Sequence, residues 1–545
     1  MNELCNIFSC VQDGQTLVLE KDKIYHVYPE DSVHLTGYFC TNTAKKEENP
    51  LGERDTPMYL FNKKNITIDG NGAAVIIHGK MTPFVFDRCE NITVRNLKVD
   101  YAVPTMTEFT VLSNRDGVCE IAVNPACLFR VDGNDLYWCG ETAKNGSPYW
   151  ENRCNAPKRF VKVYDPVAQN CRDFRREDLT FTRIEQVDAH ILRVTLQDKN
   201  ADFVPGHIFQ TRNIIRDQSG SLFQRCKNLY FENLRICFMH GLGMVSQFCE
   251  NVTFCNCDFT PAEGRTIAST ADFFQFSGCK GNITVDGCKA HGAQDDYINA
   301  HGTHLQIVEA DNARNSLTVR FMHPETWGLQ AFEKGDEIAF IRWDTLIPYA
   351  ENTVRSYEKL NDTDICLYLE KPLPDGIVLG KDAVENVTWS PSLYVYNCDF
   401  GVTAGRGILC TVRGEVIIEN NRFYHLWGPA LLVEDDCNFW FESGYTRDIA
   451  FTNNTVTGCD LGVTWPGSAV IRYSPKVMNE ASREFVHGRL TLRGNTFTHP
   501  RLGEHVFHLE YLAEADISDN TFDAPWRTDT KVVGSIRRAG NRVVK

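Results

Sequence analysis

Two carboxylates stand side by side at Asp295 and Asp296, inside the run AQDDYINAHG (293–302), with His291 upstream and His301 downstream. Like charges this close resist joint ionisation, so such a pair must be solvated, bound to a cation or put to chemical use. A third acid, Asp272, precedes Asp296 by 24 residues. Three clustered carboxylates suit cleavage of a glycosidic bond. A protonated acid gives its proton to the leaving oxygen, and an ionised one activates water or attacks the sugar. Crowding raises the pKa of at least one member, and the titration then belongs to the cluster. A solvated turn and a calcium site are the competing readings of the pair. The neighbours Phe273, Phe274 and Tyr297 and the Asn-Ala-His-Gly run weigh toward catalysis, and no cofactor is expected.

Some element must bring residues 272 and 296 together. The segments NITIDGNG (from Asn65), CENITVRNLKVDY (from Cys89), CKNLYFENLRICFMHG (from Cys226), CENVTFCNCDFTPAEG (from Cys249) and CKGNITVDGCKAHG (from Cys279) share one shape. Each is a short alternating strand, then Asn, Asp or Gly, then one or two apolar residues. Later copies include GEVIIENNRFYHLWG (from Gly414) and GRLTLRGNTFTH (from Gly488). No unit is long enough to bury a hydrophobic face alone, so the units predict stacked coils of a right-handed parallel β-helix, an all-β fold. Alternation puts Ile283 and Val285 inside and Thr284 outside. Coils stack about 4.8 Å apart, which sets Asp272 beside Asp295 or Asp296, and Gly292 permits a bend that turns both members of the pair into a groove. Cys89, Cys226, Cys249 and Cys279 share a repeat position and read as an interior ladder. The recurring Asn-Ile-Thr and Asn-Val-Thr tripeptides read as structural repetition rather than glycosylation sites.

Two stretches break the repeat. Residues 102–219 and 304–388 carry strand-like runs with turn residues between them, such as RFVKVY and LTVRFM, and predict antiparallel, barrel-like insertions. The expected organisation is an N-terminal cap with the first coils (1–101), an insertion (102–219), central coils with the acids (220–303), a second insertion (304–388) and C-terminal coils (389–545). The charge of −15 is interspersed, without a basic stripe, which argues against nucleic acid and a polyanionic substrate. No apolar run is long enough for a membrane span. The 21 cysteines lack CxxC spacing. Together with a start that has no basic and apolar leader, they lead to an expected cytoplasmic location, with secretion after removal of a signal as the alternative. A homodimer through the insertions is one arrangement the sequence allows.

Several other residues have side chains that suit a sugar. Arg265, Arg406, Gln247, His301 and Glu442 are expected to hydrogen-bond hydroxyls, and Trp327 or Trp440 to stack on a pyranose ring. Glu434, Asp435 and Asp436, in LLVEDDCNFW, form the rival acidic group, read as supporting structure or sugar binding.

The run TADFFQFSGCKGNITVDGCKAHGAQDDYINAHGTHL (270–305) resembles the central motif of glycoside hydrolase family 110, the α-1,3-galactosidases. In that family an Ala-Asp stretch precedes Phe-Ser-Gly-Cys, and an Asp-Asp pair leads into Ile-Asn-x-His-Gly. GLGMVSQFCENVT (from Gly241), TWGLQAFEKGDEIAFI (from Thr326), GRGILCTVRGEVIIENNRF (from Gly405) and NFWFESG (from Asn438) extend the likeness over most of the chain, in the same order. The resemblance implies a β-helix with barrel-like insertions. It also implies an exo-acting, inverting hydrolase that needs no metal and removes terminal α-1,3-linked galactose, as from blood-group-B-type or linear glycans. It carries the catalytic role to Asp272, Asp295 and Asp296. The chain departs at DFFQF, where smaller or more polar residues than phenylalanine are expected after Asp272. The alternatives are a polygalacturonase-like hydrolase, whose Gly-His-Gly and Arg-Ile-Lys signatures are absent here, a β-helix lyase, and a non-catalytic carbohydrate-binding protein.

Overall fold

The computed structural model describes residues 2–462, 468–499 and 505–544. Its repeat strands pair with the equivalent strand of the next coil. Ile66 registers with Ile92, Ile92 with Leu229, Leu229 with Val252, Val252 with Ile283 and Ile283 with Leu393, every pair parallel. All six side chains are buried. A second face runs from Met58–Phe61 through Phe84–Asp87, Ser221–Gln224, Met244–Gln247, Phe274–Ser277 and Ile298–Asp311 to Ile408–Thr411. The third is a twelve-stranded parallel sheet from Ile24–Val27 to Arg542–Val543. The result is the parallel β-helix that the repeat predicts.

Small polar side chains hold the corners between faces. Each of Cys89, Cys226, Cys249 and Cys279 donates its thiol to a carbonyl of the coil before it: Leu60, Phe86, Phe223 and Ser246, at 3.3–3.5 Å. A second column begins with Cys257, Cys288 and Cys398 and changes to asparagine at Asn421, Asn454, Asn495, Asn520 and Asn541. Asn495 Nδ2 donates to Phe451 O (2.9 Å), and its Oδ1 accepts the backbone N–H of Asn454 (2.9 Å). On the outer surface Asn65, Asn91, Asn228 and Asn251 adopt left-handed φ near +57°. Their amides form a ladder: Asn91 donates to Asn65, Asn228 to Asn91 and Asn251 to Asn228, at 2.7–2.9 Å. The asparagines of the repeated tripeptides are therefore engaged in the fold itself.

Two segments cover the first coils. An eight-residue helix, Glu3–Cys10, buries Leu4, Cys5 and Phe8 and shields the first coil's edge. The strands Val33–Leu35 and Arg54–Thr56 form an antiparallel pair. The segment around it packs Cys40 over Val85, Leu222, Val245 and Ala271 on the second face.

The first insertion is a seven-stranded antiparallel sheet between Thr107 and Asn213, with a three-stranded sheet over Leu128–Arg153 and a core around Phe109, Trp138 and Phe209. The second closes on itself. Ile298–Asp311 pairs with Ser316–Arg320, then in turn come Asp364–Leu369, Pro348–Lys359, Glu337–Ile341 and Ala383–Asn386, which returns to Ile298–Asp311. Ile298–Asp311 is thus a helix strand over its first residues and a barrel strand over its last.

Replacing Asn495 with leucine orphans the Asn454 N–H and the Phe451 carbonyl inside the coil, at about 1–3 kcal/mol each. Asn495→Leu is expected to lower the apparent Tm by several degrees in a thermal melt. Asn495→Cys, which restores the donor used in the earlier coils, is expected to lose less.

Candidate active site

The acids sit just before two stacked strands. Phe274–Ser277 and Ile298–Asp311 run parallel, with Gln275 opposite Asn299 and Ser277 opposite His301. Phe274, Phe276, Ile298 and Ala300 point into the core, so Gln275, Asn299 and His301 face the other way. The bulky run after Asp272 is explained by the core: Phe274 points inward from its strand, and Phe273, just before that strand, is buried as well. Phe273 lies inside, stacked on Tyr297 at 5.5 Å, and Tyr297 on Phe400 at 5.1 Å. The loops carrying the acids touch backbone to backbone: Phe273 N donates to Asp296 O at 3.0 Å. A Cβ at position 405 would lie 2.2 Å from Asp295 O, which is why glycine stands there.

Stacking places one carboxylate oxygen from each of Asp272, Asp295 and Asp296 within 4.8 Å of the others. Arg406 clamps Asp296 through two bonds, Nε to Oδ1 at 2.5 Å and Nη2 to Oδ2 at 2.7 Å, and reaches Asp295 Oδ1 at 3.3 Å. Asp272 Oδ1 accepts the Asp296 backbone N–H at 3.2 Å. Asp272 and Asp296 are buried, whereas the Asp295 side chain is 43% exposed. Burial pushes Asp296 up to about 7 against the pull of Arg406, with the Asp295 charge adding to the rise. Burial, followed by the charges of Asp295 and Asp296, holds Asp272 well above the usual carboxylate range, and Arg216 and Arg406 oppose this only in part. The cluster therefore retains a proton near neutrality. It is also the one group among the described residues with donor atoms close enough for a cation. Both oxygens of Asp296 accept from Arg406.

The other expected residues divide. Glu442 and His301 lie close to the acids, the Glu442 charge acting on Asp296. Glu442 Oε1 accepts from Asn42 Nδ2 (2.7 Å) and lies 3.6 Å from His301 Nε2. His301 donates through Nδ1 to Gly302 O (2.6 Å) and accepts at Nε2 from Gln275 Nε2 (2.6 Å). Gln247 is spent on structure: its Oε1 accepts Thr41 N (3.0 Å) and its Nε2 donates to Phe39 O (3.1 Å), pinning the N-terminal segment. Trp327 is buried, with its indole N–H on Ala44 O (3.1 Å) and its ring against Phe39, so it walls the cleft rather than offering a face. Trp440 is exposed and stacks on His323. Arg265 does not reach the aspartates. It pairs with Asp100 (2.6 Å) and lines a cavity of about 220 Å³ between the first insertion and the helix, which none of the three acids lines.

The rival acids hold a loop. The Asp436 carboxylate accepts the backbone N–H groups of Asn438, Phe439, Trp440 and Phe441. Asp435 is pushed up to about 7 by burial, beside His304 at 3.8 Å. Glu434 pairs with Lys476 at 2.8 Å.

Sequence reasoning missed several cleft residues. Gln275 Oε1 and Asn299 Oδ1 are buried acceptors with no partner among the described residues. Asn42, from the N-terminal segment, and Thr326, from the second insertion, bond each other at 2.8 Å. Arg216, at the end of the first insertion, pairs with Glu325 of the second at 2.5 Å. Alternation alone marks Gln275 and Asn299 as outward-facing; nothing local marks the others.

Comparison with known proteins bears on this constellation. Residues 316–384 match the family model of the GLAA-B beta-barrel domain II. Over 461 residues the chain is 36% identical to alpha-1,3-galactosidase A of Akkermansia muciniphila, covering 84% of this chain and 73% of that protein. The chain belongs to the α-1,3-galactosidase A/B family, glycoside hydrolase family 110. It is also 29% identical over 529 residues to alpha-1,3-galactosidase B of Bacteroides thetaiotaomicron, covering 95% of this chain and 81% of that one. A solved structure, the catalytic unit of a GH87 alpha-1,3-glucanase from Streptomyces thermodiastaticus, aligns with 99% of this chain and 65% of its own at 9% identity, with a TM-score of 0.30. In this glycoside hydrolase the matched barrel does more than decorate the helix. Just outside its core strands, the link between Ser316–Arg320 and Glu337–Ile341 brings Glu325, Thr326 and Trp327 to the cleft.

The raised Asp272 pKa has a cost. A carboxyl that binds its proton more tightly when folded than when unfolded destabilises the fold as pH rises from its unfolded value of about 4 through its folded one. Asp272→Asn keeps the oxygen that accepts the Asp296 N–H and removes the charge. It is expected to raise the apparent Tm at pH 8 by about 1–3 °C. The gain should shrink toward zero by pH 4–5 in melts across that range.

Proposed function

We propose that this family 110 hydrolase is an exo-acting, inverting α-galactosidase that releases terminal α-1,3-linked galactose from oligosaccharides or glycans, blood-group-B-like or linear. The observation that carries the reading is the aspartate cluster, with three carboxyl oxygens inside 4.8 Å, one acid clamped by Arg406 and another buried without an ion pair among the described residues. The names of the two relatives support the sugar and the linkage.

In this mechanism the proton retained by the cluster passes to the glycosidic oxygen as the bond to the anomeric carbon breaks. An ionised member takes a proton from a water that attacks the opposite face. Acid and base of inverting enzymes are generally about 6.5–9.5 Å apart. The oxygens here lie closer, near the roughly 5–5.5 Å typical of retaining enzymes, so inversion rests on the family resemblance and the anomer released first decides it. Gln275 Oε1, Asn299 Oδ1 and Glu442 offer acceptors to the hydroxyls of the terminal sugar, which can donate to all three. The cluster's proton is lost as pH rises, and the water-activating carboxylate is lost as pH falls. The expected kcat/KM profile is bell-shaped, with an alkaline limb near or above 7.

Proton NMR of an α-1,3-galactosyl disaccharide during hydrolysis tests the proposal. β-Galactose is expected to appear first and then mutarotate. Initial α-galactose overturns inversion, and no hydrolysis by the wild type overturns the galactosidase reading. Asp272→Asn, Asp295→Asn and Asp296→Asn are each expected to lower kcat by about 10²–10⁴-fold with unchanged circular dichroism. A chelator is expected to leave the wild-type rate unaltered.

A further inference from the structure

Trp440 is 45% exposed, yet nothing about it is loose. The Asp436 carboxylate gathers four successive backbone N–H groups, from Asn438 to Phe441, and so fixes the loop that carries the indole. One side of the ring is backed by His323, with centroids 4.1 Å apart and planes 24° apart. His323 is fixed in turn. Its Nδ1 accepts the Glu325 N–H at 3.3 Å, and its loop is tied down by the Glu325–Arg216 pair at 2.5 Å and the Thr326–Asn42 bond at 2.8 Å. Burial holds the imidazole below its ordinary pKa, so it is neutral near pH 7, with its proton on Nε2. A rigid aromatic surface kept half in water is a poor contributor to folding and a good receptor for the C–H face of a pyranose.

We propose that the open face of Trp440, backed by His323, is the leaving-group subsite of this hydrolase, stacking on the apolar face of the sugar to which the terminal galactose is linked. The proposal rests on the galactosidase reading. Trp440 stands two residues before Glu442, which bonds Asn42 and adds its charge to the surroundings of Asp296. The acids themselves are at the bottom: Asp272 and Asp296 are buried, and the orphaned acceptors Gln275 Oε1 and Asn299 Oδ1 lie with them. An exo-acting enzyme seats the terminal sugar at the closed end, and the remainder of the chain leaves across the rim. A half-exposed platform at the rim therefore meets the second sugar rather than the galactose.

Two substrates separate these positions. An α-1,3-galactosyl disaccharide has a sugar leaving group. α-Galactosyl fluoride presents the same terminal galactose with fluoride in its place. Trp440→Ala is expected to lower kcat/KM on the disaccharide by about 10- to 50-fold, mostly through KM, while changing it by no more than about 2-fold on the fluoride. Trp440→Phe should recover most of the loss, and His323→Ala should weaken the disaccharide reaction selectively and less. An equal loss on both substrates overturns the proposal, because it places the effect at the galactose or in the loop's fold. No loss on the disaccharide overturns it as well. A wild type that turns over neither substrate overturns the galactosidase reading and the subsite together, a result that no platform variant can mimic.

Discussion

Parallel stacking of coils about 4.8 Å apart is the constraint on which the rest of this molecule depends. Every strand edge inside the helix is satisfied by the coil before it and the coil after it, so equivalent side chains fall into columns. The columns are chemically uniform where the geometry is demanding. Buried corners take cysteine in the early coils and asparagine in the later ones, since each must return a hydrogen bond to a carbonyl of the preceding coil. The same registration turns a separation of one coil along the chain, from Asp272 to Asp296, into carboxyl oxygens within hydrogen-bonding range of one shared water.

Stacking alone would leave three acids on an open face, where water would screen them and each would ionise near its ordinary pKa. What changes their chemistry is enclosure. The N-terminal segment lays Asn42 beside Glu442, the second insertion brings Thr326 and Glu325, and the first ends at Arg216. Arg406 reaches from a later coil and fixes Asp296 in a single orientation. Burial then favours the protonated form of at least one acid while the guanidinium favours the ionised form of its partner. Unequal environments for like groups are what an acid and base pair requires. The charge that burial leaves in place weakens the fold above neutral pH, so the site is held together by its surroundings rather than by itself.

The walls of the cleft are rigid for a different reason. Carboxylates that look catalytic in sequence, such as Asp436, are spent on backbone N–H groups, and that expenditure fixes an exposed tryptophan two residues before Glu442. Gln247 is likewise committed to the Phe39–Thr41 backbone. Polar residues close to an active site thus divide into those whose atoms are all engaged and those, like Gln275 and Asn299, with an acceptor left over.

The sequence by itself determined the coil, the inward and outward faces, the cysteine column and the three acids. All of these follow from periodicity two along a strand and from repetition between strands, and both are written locally. Phe273 and Phe274 looked foreign after Asp272 only until Phe274 turned inward from its strand and Phe273, just before it, stacked on Tyr297. The helix Glu3–Cys10 and the closed circuit of the second barrel carry no such repeat. Only the tertiary structure decided that Asn42 joins Glu442 to Thr326, that Arg216 comes near Asp272, that Arg265 pairs with Asp100 instead, and that Trp327 is buried while Trp440 stays exposed. Those outcomes depend on where loops of different length return to the helix, and contacts across 284 residues, such as Asn42 with Thr326, leave no periodic trace in the chain.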